Sequence, residues 1–221
     1  MAYSIAIDGP AGAGKSTITK RVAKELNFMY VDTGAMYRAM AVFFLRKGVD
    51  SKDEVAVSES CKEAEVEIVY EDGVQQAILN GENITSLLRK EEVGKMASET
   101  AIYPSVRAKI LDIQRNLAKG TDVIMEGRDI GTCVLPFATV KIYLTASVEA
   151  RAKRRYNELI EKGETPDIEV IKADIEARDY ADMNREHSPL KQAEDAVLVD
   201  SSEMGIDEVA DAIVNIFKKK I

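Results

Sequence analysis

Short apolar runs alternate with longer amphipathic segments along most of the chain. Five runs have the length and composition of buried strands: Ser4–Ile7, Phe28–Val31, Val123–Glu126, Val140–Leu144 and Ala196–Val199. The other patterned segments carry helical periodicity or helix start and stop residues: Thr17–Leu26, Ala35–Lys47, Ser51–Ala64, Ser86–Thr100, Pro104–Lys119, Ser147–Gly163, Thr165–Arg185 and Ile206–Lys219. This alternation predicts an α/β fold in which helices flank a central parallel sheet.

One stretch interrupts the alternation. Val66–Tyr70 and Val74–Leu79 are rich in residues that favour strands, and Asp72-Gly73 stands between them. Two such runs around an Asp-Gly pair predict an antiparallel hairpin. We therefore expect a single domain over residues 1–221 in which residues 63–84 form a small antiparallel insert outside the parallel sheet.

The turn between the first strand and the first helix reads Gly9-Pro10-Ala11-Gly12-Ala13-Gly14-Lys15-Ser16 and fits the pattern G-x-x-x-x-G-K-[ST]. Its glycines allow backbone N–H groups to point inward at a polyphosphate. Lys15 would reach the β and γ phosphates, Ser16 would offer its hydroxyl to Mg²⁺, and the helix that Thr17 opens would present its positive dipole end. The strand-loop-helix context disfavours the alternative, an ordinary glycine-rich turn. We predict that residues 9–17 bind ATP together with Mg²⁺.

Composition and charge narrow the class of protein. The chain of 221 residues has a net charge of -8, which argues against a broad nucleic-acid surface, so an anion site must be built from clustered arginines. It has no run of 18 apolar residues, and Met1-Ala2-Tyr3-Ser4 lacks the basic start of a signal peptide. Cys61, Cys133 and His187 are too few for a disulfide framework or a zinc site. We expect a cytoplasmic protein.

Two further strand ends carry polar residues. Asp32-Thr33-Gly34, with Tyr37 and Arg38 one turn later, follows the second strand, and Gly127-Arg128-Asp129 follows the third. Ligands of open α/β sheets bind beyond the carboxyl ends of the strands, where Arg38 and Arg128 would add positive charge for a second phosphorylated ligand. The alternatives are that Asp32 or Thr33 only caps a helix and that Arg128 and Asp129 form a structural ion pair.

Residues 147–190 carry two cationic helical faces. The spacing i, i+3, i+4 places Arg151, Arg154 and Arg155 on one helical face. The spacing i, i+4, i+7 places Arg178, Asp182 and Arg185 on a second helical face. Each face has a simpler interpretation as a solvated helix surface with local ion pairs. A polar helical hairpin with little apolar stripe is also typical of a lid that closes over phosphates.

Taken together, these motifs resemble those of the bacterial cytidylate kinase family. The resemblance rests on Ile7-Asp8 before the glycine-rich loop, the Asp32–Arg38 run, Gly127-Arg128-Asp129-Ile130-Gly131-Thr132, and the run from Arg178-Asp179 to Pro189-Leu190. It implies a P-loop NTPase fold with an NMP-binding insert at 63–84 and a helical lid at 147–190. It also implies transfer of the γ-phosphoryl group of ATP to CMP or dCMP, giving CDP or dCDP.

The same resemblance implies roles for individual residues. Cytosine contacts would come from Thr33, Arg107, Asp129 and Arg185, and sugar contacts from Ser98, Arg178 and Asp182. The acceptor phosphate would lie against Arg38 and Arg128, and Arg154 would face ATP from the lid. Catalysis would rest on Lys15, Arg128 and Arg178. The expected partners are ATP with Mg²⁺ and CMP or dCMP, with no nucleic acid and no membrane, and the expected state is a monomer.

Two other classes of function compete with this one. One is another P-loop kinase, which would act on a different nucleotide or on the hydroxyl of a metabolite. A hydroxyl acceptor would need a base, and Asp129 or Asp32 could serve as that base. A regulatory NTPase would bind a partner instead, but the chain lacks the guanine-reading N-K-x-D motif of GTPase switches. A phosphate acceptor needs no base because its second pKa is about 6. The role of Asp8 stays open between ordering the phosphate loop and approaching Mg²⁺ through water.

Overall fold

The computed structural model describes residues 2–221. In chain order its elements are β1 (Ser4–Asp8), α1 (Lys15–Leu26), β2 (Met29–Asp32), α2 (Thr33–Lys47), α3 (Glu54–Cys61), β3 (Val66–Glu71), β4 (Val74–Leu79), β5 (Glu82–Asn83), a 3₁₀ turn (Thr85–Leu87), α4 (Glu91–Thr100), α5 (Pro104–Leu117), β6 (Val123–Gly127), a π-helical turn (Ile130–Val134), β7 (Val140–Thr145), α6 (Val148–Glu161), α7 (Ile168–Asn184), β8 (Val197–Asp200) and α8 (Ile206–Lys220). The chain groups into two compact units, residues 2–30 with 120–221 and residues 31–119.

The first unit is built around β1, whose residues Ile5, Ala6 and Ile7 are fully buried. This strand pairs in parallel with β6 on one side and β7 on the other, and β8 pairs with β7. The five-stranded sheet has the order β2-β6-β1-β7-β8. The parallel register sets Asp8 beside Gly127 and beside Tyr143, so the carboxyl ends of β1, β6 and β7 meet at one edge. The predicted central parallel sheet is confirmed.

The core of the first unit lies between the sheet and helices α1 and α8. Apolar side chains at helical spacing face the strands from both helices: Ile18, Val22, Ala23, Val209, Ala210, Ile213, Val214 and Phe217. The ring of Phe217 also packs nearly perpendicular to the rings of Tyr3 and Phe28, with centroids 5.5 and 5.3 Å away. Burial of this apolar stripe is what fixes α1, and with it the start of the loop that precedes α1, against β1.

The second unit combines helices with a small antiparallel sheet. Strands β3 and β4 pair from Val66 with Leu79 to Glu71 with Val74, and the short β5 adds to β4. Asp72 and Gly73 turn the hairpin with φ angles of 50° and 75°. Both angles are positive, as the tight turn of a hairpin requires. The predicted hairpin is confirmed, and α2 buries Met36, Met40 and Phe44 within this unit.

Three predicted elements differ from the structure. The helix predicted over Ser51–Ala64 spans only Glu54–Cys61, because Asp53 and not Ser51 caps its start. The helix expected over Ser86–Thr100 begins only at Glu91, because Thr85–Leu87 form a 3₁₀ turn and Lys90, with an extended backbone and ψ of 143°, precedes the first turn of α4. The segment after β6, interpreted as a loop, winds into a π-helical turn in which the N–H of Cys133 donates to the carbonyl of Asp129 at 2.8 Å. Of the helices within residues 2–221, none is long and apolar enough to cross a membrane.

Candidate active site

The glycine-rich loop joins β1 to α1 and has a backbone that only glycine permits at its first position. Gly9 has a φ of 153°, and a Cβ atom there would lie 1.9 Å from the carbonyl oxygen of Leu144 in β7. Gly14, with a φ of 86°, caps the start of α1. Both features follow from a chain that must turn sharply between a central strand and a packed helix. The loop therefore lies against the carboxyl end of β7.

Lys15 bends back beneath this loop. Its Nζ donates to the carbonyls of Gly9 and Pro10 at 2.7 and 2.8 Å, and its side chain is buried. Burial lowers the pKa of Lys15 to about 7, and the positive charge of Arg128 acts in the same direction. An anion at the loop would shift this pKa upward again, because an opposite charge favours the ammonium form. The Lys15 side chain is therefore held against the first two residues of the loop.

Asp8, at the end of β1, is buried and bonded to backbone donors of the π-helical turn. Its two carboxylate oxygens accept from the N–H groups of Ile130 and Gly131, each at 2.7 Å. Burial raises the pKa of Asp8 to about 6, although these two hydrogen bonds oppose the shift. Because both oxygens are engaged by backbone donors, the carboxylate ties the end of β1 to the π-helical turn that follows Arg128 and Asp129.

Four predicted CMP residues come together in the first unit. Arg128 Nε donates to Asp182 Oδ2 at 2.8 Å, and Arg185 Nη2 lies 3.8 Å from Asp129 Oδ1. Burial alone would raise the pKa of Asp182, but Arg128, Arg185 and Arg178 together hold it below its usual range. Arg178 itself is exposed on α7, one turn before Asp182. Two consecutive residues of the loop after β6 thus face the end of α7.

The predicted cationic face of α6 is corrected by the structure. Arg155 is exposed and pairs with Glu158 at 3.0 Å, as a solvated face would, whereas Arg151 is buried. Arg154, predicted to face ATP, donates to the hydroxyl and the carbonyl of Ser201. The Ser201 hydroxyl in turn contacts the carbonyl of Ala13 in the glycine-rich loop at 3.3 Å. The three arginines therefore have three different environments, which their spacing alone did not reveal.

In the second unit, Asp32 caps helix α2. Its Oδ1 accepts from the N–H of Ala35 at 3.1 Å, so the capping interpretation is confirmed, and its Oδ2 receives Arg38 Nη2 at 2.8 Å. The side-chain amide of Gln75, from β4, accepts a hydrogen bond from the backbone N–H of Asp32 and donates one to its carbonyl. Gln75 was missed at the sequence level because a polar residue in a hairpin strand carries no motif. These contacts orient Arg38, a predicted phosphate contact.

The other predicted residues of this unit have varied surroundings. Thr33 is buried in the first turn of α2, and Ser98 is exposed on α4. Arg107, on α5, donates to the carbonyl of Ala101 at 3.2 Å and lies over the ring of Tyr37, 5.8 Å from its centroid. The cation–π contact and the hydrogen bond restrict the orientation of the Arg107 guanidinium.

Within residues 2–221 no three His, Cys, Asp or Glu side chains are grouped so as to hold a metal ion. The donor set at the start of α1 nevertheless fits Mg²⁺ carried by a nucleotide, since Ser16 is exposed in the first turn of this helix and offers a hydroxyl oxygen. Magnesium in nucleotide sites takes one or two protein oxygens and completes its shell with phosphate oxygens and water.

Nearly the whole chain matches one family of known proteins. The family model "Cytidylate kinase" matches residues 5–219. A cytidylate kinase of Listeria innocua is 48% identical, over 98% of this chain and 96% of that protein. A cytidylate kinase of a Geobacillus species is also 48% identical, over 98% of this chain and 97% of its own length.

Solved structures give a likeness of fold. A shikimate kinase from Bacteroides thetaiotaomicron has a TM-score of 0.51 at 14% identity and covers 98% of both chains. A gluconokinase from Sinorhizobium meliloti has a TM-score of 0.50 at 11% identity, over 98% of this chain and 92% of that one. At these identities the likeness shows the fold alone, which is that of small-molecule P-loop kinases.

Proposed function

The chain belongs to the cytidylate kinase family, and from this premise we propose how its residues carry out the reaction. It is a nucleoside monophosphate kinase that transfers the γ-phosphoryl group of ATP to CMP or dCMP and yields CDP or dCDP. The observation that carries the proposal is the buried Lys15, held by two carbonyls of the glycine-rich loop at 2.7 and 2.8 Å.

The glycine-rich loop and the start of α1, residues 9–17, bind the ATP phosphates. Backbone N–H groups and the helix dipole favour the anion, and the Lys15 ammonium bridges the β and γ phosphates. Mg²⁺ bound with ATP would neutralise charge on these phosphates, with Ser16 as its protein ligand. Arg154 donates to the hydroxyl of Ser201, which donates to the carbonyl of Ala13, so Arg154 adds positive charge behind the loop.

The transfer step proceeds without a general base. The acceptor is a phosphate monoester whose second pKa is about 6, so it is largely a dianion at neutral pH. The task of the protein is to align two anions that repel each other and to stabilise the charge on the transferring group. In the first unit, Arg128 and Arg178 serve this purpose with Lys15. In the second unit, Arg38 binds the acceptor phosphate.

Cytosine and its sugar are recognised by residues that the family resemblance indicates. Asp129, buried and 3.8 Å from Arg185, accepts from the cytosine amino group, while Arg185 donates to a ring acceptor. Arg178 and Asp182 contact the sugar. The second unit contributes Thr33 and Arg107 to cytosine and Ser98 to the sugar.

We also propose that residues 63–84 serve as the NMP-binding insert and residues 147–190 as a lid, within a kinase domain spanning 1–221. Helices α6 and α7 support the lid assignment because their described side chains include few buried apolar residues: Ala152 and Ile171. The protein would act as a cytoplasmic monomer without nucleic-acid or membrane partners, in line with its net charge of -8.

A coupled assay with ATP, Mg²⁺ and a panel of nucleoside monophosphates tests the function. We expect CMP and dCMP to be phosphorylated with kcat/KM at least tenfold above UMP, AMP and GMP. Preference for another acceptor would overturn the base-recognition scheme. Omission of Mg²⁺ should abolish turnover, and sedimentation analysis of the same preparation checks the monomeric state.

A further inference from the structure

Arg151, at the first turn of α6, connects three separate parts of the first unit. Its Nε donates to the carbonyl of Ala146 at 2.9 Å, and Nη1 donates to the carbonyl of Ala11 in the glycine-rich loop at 3.0 Å. Nη1 and Nη2 also donate to the two oxygens of Asp179 on α7, at 3.0 and 2.6 Å. One guanidinium therefore links the end of β7, the phosphate loop and α7.

The surroundings of this link require an arginine. The side chains of Arg151 and Asp179 are only 4% and 13% exposed. A Cβ atom at Gly12 would lie 3.5 Å from the Cβ of Arg151. The planar guanidinium can engage a carboxylate through two donors and a carbonyl through a third at once, whereas a lysine offers one point charge. The distance to Gly12 is that of ordinary van der Waals contact, so the stem of Arg151 lies directly alongside the loop.

Asp179 lies beside residues with proposed roles toward CMP. Arg178 precedes it, and Asp182, three residues later, pairs with Arg128 at 2.8 Å. Helix α7 is thus held by two ion pairs, one to Arg128 in the loop after β6 and one to Arg151 of α6, which itself donates to the phosphate loop. Because most of α7 is solvent-exposed and Ile171 is its buried residue, these pairs set the rotation of the helix.

We propose that Arg151 and Asp179 are positioning residues that hold α7 in register with the phosphate loop, so that Arg178 and Asp182 face the acceptor nucleotide. The inference rests on the proposed function. It assigns a task to two residues that touch neither nucleotide in the scheme above. Loss of the Arg151–Asp179 bond would leave the phosphate loop intact but would free α7 to rotate.

The variant Asp179→Asn tests whether α7 can lose its link to Arg151 while the phosphate loop stays intact. Arg151 keeps its carbonyl partners Ala11 and Ala146 in this variant and loses its ionic link to α7. We expect KM for CMP to rise at least tenfold while KM for ATP stays within threefold of wild type. Glu158→Gln is the matched control, because it removes an exposed lid carboxylate that pairs with Arg155 and Lys162. This control should keep both KM values within twofold.

Two further measurements exclude a merely structural role. At a temperature well below the unfolding midpoint of each variant, lost stability alone would leave KM for CMP unchanged. Arg151→Lys combined with Asp179→Asn should raise KM for CMP no more than the stronger single change, since residues that act as a unit are not additive. If Asp179→Asn does not fold, Arg151→Lys is assayed against the same control and should also raise KM for CMP tenfold.

The outcomes separate the inference from the proposed function. Wild-type protein that does not phosphorylate CMP would overturn the function itself. Active wild type together with an Asp179→Asn variant whose KM for CMP lies within threefold would overturn only the positioning role. Equal increases in KM for ATP and CMP would also overturn it, because they would show a general loss of site structure.

Discussion

At the scale of single residues, Asp129 is proposed to distinguish cytosine from uracil. Cytosine presents an amino donor beside ring acceptors, whereas uracil presents an O4 acceptor and an N3–H donor. An ionised Asp129 can accept from the amino group but would face O4 of uracil, and each such mismatch costs about 1–3 kcal/mol. Asp129→Asn can donate to O4, so it should lose activity with CMP while activity with UMP holds or rises.

The measurement is kcat/KM for CMP and UMP in wild type and the variant. A ratio that stays within about threefold of wild type would mean that less than about 0.7 kcal/mol of discrimination had moved. Asp129 would then not be the residue that reads the base. Asp112→Asn, at an exposed carboxylate of α5, controls for the loss of a negative charge.

Lys15 is expected to contribute more to the transition state than to ATP binding. Lys15→Met keeps an unbranched side chain, one atom shorter, but removes the ammonium that the carbonyls of Gly9 and Pro10 hold at the loop. Because a preorganised charge is strongest where charge develops, kcat should fall at least about 10²-fold with a smaller change in KM for ATP. Near-normal turnover would contradict the assignment.

Single residues also show where sequence reasoning reaches its limit. Lys15 and its glycines are predictable because the loop pattern encodes a backbone shape and stands between a strand and a helix. Arg151 is not, because i, i+3, i+4 spacing identifies a shared helical face but not what covers that face. Its carboxylate partner lies 28 residues away, and such pairing depends on the packing of α7 against the loop.

At the scale of elements, the phosphate loop depends on the absence of a side chain at position 9. Gly9→Ala combines a left-handed backbone with a Cβ atom 1.9 Å from a strand carbonyl, whereas Gly120→Ala has a φ of 72° and nothing within 4 Å. Gly120→Ala should cost about 1–2 kcal/mol of unfolding free energy from backbone strain. Gly9→Ala should cost about 1–3 kcal/mol more from overpacking and should weaken ATP binding. Urea unfolding of the two variants gives the comparison, and equal losses would argue against a packing constraint at Gly9.

The lid proposed over residues 147–190 predicts a change in hydrogen exchange. Helices α6 and α7 have few buried apolar side chains, so their amides should exchange readily in the free protein. Exchange should slow when analogues of ATP and CMP are both bound, and less with either alone. Amides of the buried strands β1 and β6 serve as the internal reference. Unchanged exchange at saturation would identify α6 and α7 as a static surface.

Elements were predictable where one pattern dominated. The strands of the parallel sheet stand out as continuous apolar runs, and Asp72-Gly73 locates the hairpin. The start of α4 was missed because Ser86–Lys90 has helical periodicity, while Ile84 and Leu88 are buried around a 3₁₀ turn instead. The π-helical turn was missed because its backbone depends on Asp8, a residue 122 positions before Ile130. Contacts that distant leave no local pattern.

At the scale of the whole molecule, two buried groups at the loop make opposite contributions to stability as pH changes. The pKa of Asp8 is raised from 3.8 to about 6, so the folded state binds more protons between these values and stability falls as pH rises through them. The pKa of Lys15 is lowered from 10.5 to about 7, so the folded state binds fewer protons in that interval. The contribution of Lys15 therefore rises with pH from about 7 upward.

Lys15→Met removes this contribution, because methionine does not titrate. The change also affects Asp8, since the Lys15 charge lowers the pKa of that carboxyl. Between pH 7.0 and 8.5 the unfolded wild type keeps the Lys15 proton while the folded state loses it. Integrating the proton difference over this interval gives a gain on the order of 1–2 kcal/mol in unfolding free energy relative to the variant. Urea unfolding at several pH values measures the difference, and Lys24→Met, at an exposed position of α1, controls for the loss of a surface lysine.

A difference between wild type and Lys15→Met that stays constant over this range would mean that Lys15 remains charged in the folded protein. In that case the ammonium would be available to ATP without a proton from solvent. A rising difference means that ATP binding near pH 8 must take up a proton, so the affinity for ATP should weaken there as pH increases.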